Sequence, residues 1–245
     1  MKYMSYIEVK DITKEFGTDD AKVVAVKGMS FSIEQGEFLS IMGESGAGKS
    51  TLLSVLGGLL APSRGEVLIE GIDIYALKKD KRADFRREFM GFIFQSFQLV
   101  PYLNVVENVQ LPMAVTPYSE KEKERMAMAS LEKVGLGEKA HRLPGQLSGG
   151  EQERVAIARA VVNEPPIVFA DEPTGNLDSK NSADVMNLLK KLNSDGHTII
   201  MVTHSRANAE FAERLIEVGD GLVTEDIWLK ETPQSQSVLP AAAAL

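Results

Sequence analysis

The stretch F-L-S-I-M-G-E-S-G-A-G-K-S-T at residues 38–51 decides the fold. Residues 38–42 form a short apolar run of buried-strand character, and residues 49–56 have the pattern of a helix, so the glycines lie in a strand-to-helix turn. Within that turn Gly43, Glu44, Ser45, Gly46, Ala47, Gly48, Lys49, Ser50 and Thr51 follow the spacing G-x-x-x-x-G-K-[ST]. Gly46 and Gly48 lack Cβ, so the backbone can fold closely around phosphate oxygens and point its N–H groups inward. A helix starting near Lys49 aims its positive dipole end at the same place. Lys49 supplies a mobile cation for β- and γ-phosphates, and the Ser50 hydroxyl is the expected Mg²⁺ ligand. A Gly-rich turn would match this spacing by chance in a chain of this length on the order of one time in a hundred. Flanked by strand and helix, the motif reads as a nucleotide site.

Working outward, P-I-V-F-A-D-E-P-T at residues 166–174 is an apolar strand that ends in two adjacent carboxylates. Side chains alternate along a strand, so Asp171 and Glu172 point different ways. One can face a metal and the other a γ-phosphate. Asp171 is the candidate for holding Mg²⁺ through water, and Glu172 the candidate for polarising an attacking water. Alone, a D-E-P run is an ordinary strand-terminating turn; its weight comes from the phosphate loop. Strand-like runs at 167–170 and 198–202 flank a helix around 183–192, a βαβ arrangement that implies a parallel sheet. His204 follows the second strand, at the edge where parallel sheets bind ligands.

The remaining chain sorts into three kinds of segment. Runs at 6–9, 23–26 and 31–33, with a turn-like G-T-D-D at 17–20, predict short antiparallel strands at the start. Strand-like 66–70 and 92–94 bracket a charged helical segment at 76–89, whose interleaved signs at 78–88 suit a solvated face. From about 97 to 163 helix formers dominate, including a helix at 119–136 where Ser119 and Glu122 have capping-box spacing and Met126, Leu131 and Val134 form a buried stripe. A further helix runs from Ser148 to about 162 and stops before Pro165 and Pro166. The Pro/Gln/Ser and Ala-rich residues 231–245 read as a flexible tail after a single domain at 1–230.

Composition bounds the function. The chain has 245 residues, enough for one large domain, with 27 Lys+Arg against 35 Asp+Glu and a net charge of −8. That charge gives no global reason to bind nucleic acid or an anionic lipid surface. There is no cysteine, which excludes a disulfide scaffold and thiolate-held metals. The longest apolar stretch, near Leu52, falls well short of the roughly 20 residues a membrane span needs, and the N-terminus lacks the apolar core of a signal peptide. These features predict a cytosolic chain that crosses no membrane by itself.

At L-S-G-G-E-Q-E-R-V-A-I-A-R-A, residues 147–160, the sequence contains what a generic phosphate-loop ATPase does not need. This run resembles the signature motif of ATP-binding cassette (ABC) ATPases. Phe16, Gln95 in F-I-F-Q-S-F, G-N-L-D at 175–178 and His204 follow the family's order, and the match extends from about residue 6 to 223. The resemblance implies an α/β fold: a P-loop NTPase core with a mixed, mainly parallel sheet, an N-terminal antiparallel β sub-domain and an inserted α-helical sub-domain at about 97–163. It implies ATP and Mg²⁺, with Phe16 stacking on adenine, Gln95 touching the metal and sensing the γ-phosphate, and Glu172, His204, Gln95 and Lys49 serving hydrolysis. It also implies a head-to-tail homodimer in which Ser148, Gly149 and Gly150 of one copy meet the ATP on the other's phosphate loop, with Asp178 at the interface.

Finer wording narrows the branch. G-G-L at 57–59, G-F-I-F-Q-S-F at 91–97, E-N-V at 107–109 and A-D-E-P-T-G-N-L-D at 170–178 resemble the lipoprotein-releasing, macrolide- and peptide-exporting and cell-division ATPases of bacteria. That resemblance implies an integral membrane permease partner with an extracytoplasmic domain, docked in a groove beside Gln95. The chain is then expected at the cytoplasmic face of the inner membrane, touching the membrane only through its partner. One departure is Glu153, where the subgroup has Gln; placed on the solvated side of its helix, the change is expected to be mild. A regulator of an extracytoplasmic enzyme would share this build. A soluble ABC protein acting on DNA or the ribosome needs a coiled coil or tandem cassettes, and neither pattern occurs.

Overall fold

A computed structural model gives the structure of the chain and describes residues 5–17 and 22–230. In chain order its elements are β1 (Ile7–Phe16), β2 (Val23–Ile33), β3 (Phe38–Met42), α1 (Lys49–Leu56), β4 (Arg64–Ile69), β5 (Ile72–Asp73), α2 (Lys79–Phe89) and β6 (Met90–Ile93). They continue with α3 (Val105–Gln110), α4 (Glu120–Lys133), α5 (Gly149–Val161), β7 (Ile167–Asp171), α6 (Ser179–Ser194), β8 (Thr198–Thr203), α7 (Arg206–Ala209), β9 (Arg214–Gly219) and β10 (Leu222–Trp228).

Two sheets result. One is six-stranded with order β10-β9-β3-β8-β7-β6; β3 pairs parallel with β8 and β9, and β7 parallel with β6 and β8, while β10 runs antiparallel to β9. The other is antiparallel, with order β2-β1-β4-β5. The near-continuous apolar runs of β3, β7 and β8 follow from burial of the parallel sheet on both faces. Phe38, Val168, Ala170, Ile199 and Met201 point into a core shared with α3, α4, α5 and α6. Their neighbours Leu39, Ile41, Phe169, Ile200 and Val202 point into a second core shared with α1 and the antiparallel sheet. The period-two alternation therefore assigns one face to the helices and the other to the β layer.

The starting strands are longer than their sequence pattern suggests. Residues 23–26 and 31–33 belong to one strand, β2, and residues 7–9 of the expected 6–9 run to the ten-residue β1. Register shifts between Val9 and Ile12, Ile12 and Thr13, and Lys14 and Glu15 interrupt the alternation, so one strand looks like fragments. Of the turn at 17–20 only Gly17 lies among the described residues, and 231–245 lie outside them. Ser119 caps α4 with Glu122 in a reciprocal box, as the spacing predicts. The helix ends at Lys133, three residues before the expected 136, because Gly135 takes φ 73°. α2 starts at Lys79 rather than 76, since residues 72–73 extend the antiparallel sheet as β5.

Candidate active site

The C-terminal ends of β3, β7 and β8 bring the three candidate segments to one edge of the sheet. The loop from Gly43 to Gly48 carries β3 into α1. Gly48 takes φ 95°, and a Cβ there would lie 2.2 Å from the carbonyl oxygen of Ala25; one on Gly43 would lie 2.1 Å from that of Val218. Both positions therefore require glycine. α1 has no side-chain N-cap, so its first-turn N–H groups stay available to an anion. Lys49 is buried, and its ammonium donates to the carbonyls of Gly43 and Glu44 at 2.9 Å each.

Across the loop, the Ser50 hydroxyl donates to Asp171 Oδ1 at 2.8 Å. Burial raises the Asp171 carboxyl above its usual range, opposed by the Ser50 hydrogen bond and Lys49, with Glu172 pushing the same way as burial. Glu172 has φ 48°, a left-handed conformation that is uncommon outside glycine, and its side chain is turned away from Asp171's partner. Glu172 Oε1 lies 4.0 Å from Lys49 Nζ, and Oε2 lies 2.9 Å from His204 Nδ1. The two carboxylates take different partners, Ser50 for Asp171 and Lys49 and His204 for Glu172, but Glu172 lies past the end of β7 in a left-handed turn, so strand alternation does not set its direction.

Lys49, Ser50, Glu172 and His204 line a cleft of about 510 Å³ together with Ser45, Gly46, Gly48, Thr51, Gln95 and Ala25, and Asp171 reaches it only through its bond to Ser50. Its donors suit a polyphosphate: free helix N–H groups and a buried ammonium on one side, the Glu172 carboxylate on the other. Ser50 and Asp171 offer hard oxygens 2.8 Å apart, a pair that fits Mg²⁺, which takes one or two protein oxygens and fills the rest with phosphate and water. Among the described residues no group of three or more His, Cys, Asp or Glu could hold a metal alone.

The chain belongs to the ABC transporter family. A family model described as ABC transporter matches residues 26–175. An uncharacterized ABC transporter ATP-binding protein of Methanocaldococcus jannaschii is 48% identical over 221 residues, covering 90% of this chain and 99% of the relative. The macrolide export ATP-binding/permease protein MacB of Hyphomonas neptunium is 45% identical over 231 residues, 94% of this chain but 36% of the relative. The chain thus spans about a third of the MacB proteins it matches. A solved dimeric ATP-binding cassette in a post-hydrolysis state, bound to ADP and Pi, superposes with a TM-score of 0.85 at 43% identity, over 92% of this chain and all of that one. This ABC cassette is an ATP hydrolase, and the fold expected from the resemblance is the one observed.

Not every candidate residue reaches the cleft. Phe16 ends β1, is 42% exposed and carries the Lys14 ammonium 5.2 Å over its ring, but it is not among the cleft-lining residues. Gly43, Glu44, Ala47, Asp171, Ser148, Gly149, Gly150 and Asp178 are also absent from that lining. Ser148 caps α5 in a reciprocal box with Glu151, whose carboxyl is lowered to about 2 by Lys139 first and by the Ser148 backbone N–H. A Cβ on Gly150 would lie 2.4 Å from Asn181 Oδ1, and Asp178 accepts from the Asn181 backbone N–H at 2.9 Å and its side-chain amide at 2.7 Å. The start of α5 and the start of α6 are thereby packed into one surface.

Sequence reasoning missed the residues that support Gln95. Asn176 Nδ2 donates to the Gln95 carbonyl at 2.7 Å. Arg159 donates to the carbonyls of Phe97 and Gln98 at 2.7 and 2.6 Å, and both of those residues have positive φ, 59° and 48°. An arginine inside the apolar run V-A-I-A-R-A was the available signal, because a charge in a buried helix needs partners.

Glu153 overturns an expectation. It is 1% exposed, on the face of α5 that carries Ile157 and Ala160 rather than the solvated face of Arg154. Its Oε1 has no hydrogen-bond partner, and burial pushes the carboxyl up to about 8, with Arg159 pulling the other way. Counting it as a solvated charge used residue type where helical position decides.

Proposed function

We propose that the chain is the motor of a transporter whose membrane path lies on a separate permease, and that it works as a head-to-tail homodimer closing on two ATP. The observation that carries this reading is the split of the site. The cleft is lined by phosphate-loop residues including Lys49 and Ser50, by Glu172, Gln95 and His204, with Asp171 bonded to Ser50 behind them, whereas Ser148 and Gly150 do not line it. A second copy can supply those groups. Ser148 and the N-terminus of α5 then contact the γ-phosphate bound at the partner's loop, with Gly149, Gly150 and Asp178 at the junction.

In this reading Lys49 moves from its carbonyl partners to the β- and γ-phosphates, and Phe16 offers a ring face to adenine. Glu172 orients the attacking water and takes its proton, while His204 holds the Glu172 carboxylate. Ser50 and Asp171, with Gln95, would hold Mg²⁺, which when bound would supply positive charge beside the phosphates. Loss of the γ-phosphate removes the contact between copies, so the nucleotide sets an open or closed dimer.

No helix among the described residues is long and apolar enough to cross a membrane. The MacB relatives carry permease and cassette in one protein, and the match to their cassette share supports a membrane partner here too, with placement at the cytoplasmic face. Export, lipoprotein extraction and force transmission to an extracytoplasmic domain all suit this build. The experiment is complementation between two dead variants. Lys49→Ala and Ser148→Arg should each be inactive, and an equimolar mixture should regain ATP turnover, since a mixed dimer has one site with both halves intact. A mixture as inactive as its components would contradict the shared site.

A further inference from the structure

We infer that Asn208 is a positioning residue for hydrolysis: its bond to Thr174 keeps the turn carrying Glu172 in register with the loop carrying His204. This rests on the reading that Glu172 orients the attacking water while His204 holds its carboxylate. Besides the phosphate cleft and a groove of about 360 Å³ lined in part by Arg86, Phe94 and Arg159, the described residues form a cavity of about 470 Å³. Glu172 and His204 line this cavity as well as the cleft, whereas Thr174 and Asn208 line the cavity but not the cleft.

The two loops leave the neighbouring strands β7 and β8. Glu172 opens its turn at φ 48°, a conformation that persists only where the surroundings hold it. The turn closes on itself through the Gly175 N–H to the Glu172 carbonyl at 2.9 Å and the Leu177 N–H to the Thr174 carbonyl at 3.1 Å. On the other loop the Ser205 N–H donates to the Thr203 hydroxyl at 3.1 Å, and Ser205 caps α7, which carries Asn208. Where the loops begin, the Glu172 N–H donates to the Val202 carbonyl at 3.0 Å.

Beyond that point two side-chain contacts join the loops among the described residues. One is Glu172 Oε2 on His204, 2.9 Å from Nδ1 and 3.4 Å from the backbone nitrogen. The other is Asn208 Nδ2, which donates to the Thr174 hydroxyl at 2.7 Å across 34 residues of sequence. The first uses the carboxylate that takes the proton from water, so its strength changes as the reaction proceeds. Its imidazole is also 64% exposed. The second joins two groups that do not ionise, and Thr174 is buried. Breaking it would strip a buried hydroxyl of its donor, which favours keeping the loops together. The bond therefore holds one geometry before and after Glu172 gains a proton. A shift of about 1 Å between the loops would undo the Glu172–His204 contact and misplace the water.

The test is ATP binding and steady-state turnover of the full chain with single and paired substitutions. Asn208→Ala and Thr174→Val should each lower kcat about three- to tenfold and leave ATP binding unchanged, because neither side chain lines the phosphate cleft. Together they should cost no more than either alone, since they remove the same bond. Thr174→Ser keeps the hydroxyl and should retain most of the parent kcat. In a His204→Ala background Asn208→Ala should add less than about a twofold loss, because the contact it protects is already gone. A bond that served only folding would add its full loss there. Unchanged kcat in both single variants, losses that multiply in the Asn208–Thr174 pair, a full further loss on top of His204→Ala, or ATP binding that falls with kcat would each overturn the inference. Glu172→Gln and His204→Ala, measured alongside, separate the two levels. Normal turnover in both would overturn the reading of the site itself; their loss beside an unaffected Asn208→Ala would overturn only the role of Asn208.

Discussion

Two concave surfaces meet the segment that leaves β6, and they are built differently. The phosphate cleft draws on Gln95 and the groove on Phe94. In the cleft every charge has a partner: Lys49 faces Glu172, Ser50 faces Asp171, and His204 faces Glu172. In the groove two arginines have none but backbone carbonyls. A surface whose charges already answer one another is a reaction site awaiting a substrate it can exchange them for. A surface with unanswered charge turns it on the backbone: Arg159 holds the carbonyls of Phe97 and Gln98, and Arg86 that of Gly58.

The comparison breaks most sharply at Glu172. Glu172→Gln should lower ATP turnover by about 10²–10⁴-fold while nucleotide binding persists, measured as phosphate release beside equilibrium binding. Turnover at the normal rate would remove the water-orienting role. Lys49→Ala should instead weaken ATP binding itself, by about 2–3 kcal/mol, because a buried charge-assisted contact to phosphate is lost. His204→Ala comes next. Its ring is largely exposed, so it acts by holding the Glu172 carboxylate, and a loss of roughly ten- to a hundredfold in kcat with little change in ATP affinity is expected.

The smallest effect lies in the core beside the groove. Glu153 titrates near 8 in the folded chain against an ordinary value of 4.5, so the folded state holds its proton more tightly than the unfolded state. The stabilising share is whole below the ordinary value and is lost as pH rises towards 8. Glu153→Gln should remove that slope: urea unfolding should show the variant gaining on the parent, by up to a few kcal/mol, between pH 5 and 8.5. Equal pH slopes in both would refute the buried, protonated assignment.

Legibility in the sequence follows the same division. The phosphate loop was readable because its glycines stand at fixed places: Gly46 and Gly48 take positive φ, and a Cβ on Gly43 or Gly48 would strike the carbonyl of Val218 or Ala25. The carboxylate pair was readable because an apolar strand run ends in two acids, although the left-handed turn at Glu172, not strand alternation, sets the second one's direction. The residues lining the groove were not, since it collects Arg86 from α2, Phe94 after β6 and Arg159 from α5, and no spacing rule links them. Glu153 was misplaced for a related reason: its residue type argues for solvent and its position on the helix for the core. The long β1 and β2 were fragmented because bulges break the very alternation by which strands are recognised.

The central claim is that ATP joins two copies through surfaces that lie apart in one. Sedimentation of Glu172→Gln tests it most directly. With saturating ATP this variant should sediment as a dimer, without nucleotide as a monomer, and addition of Ser148→Arg should hold it monomeric while ATP still binds. A monomer that binds one ATP per chain would contradict the account.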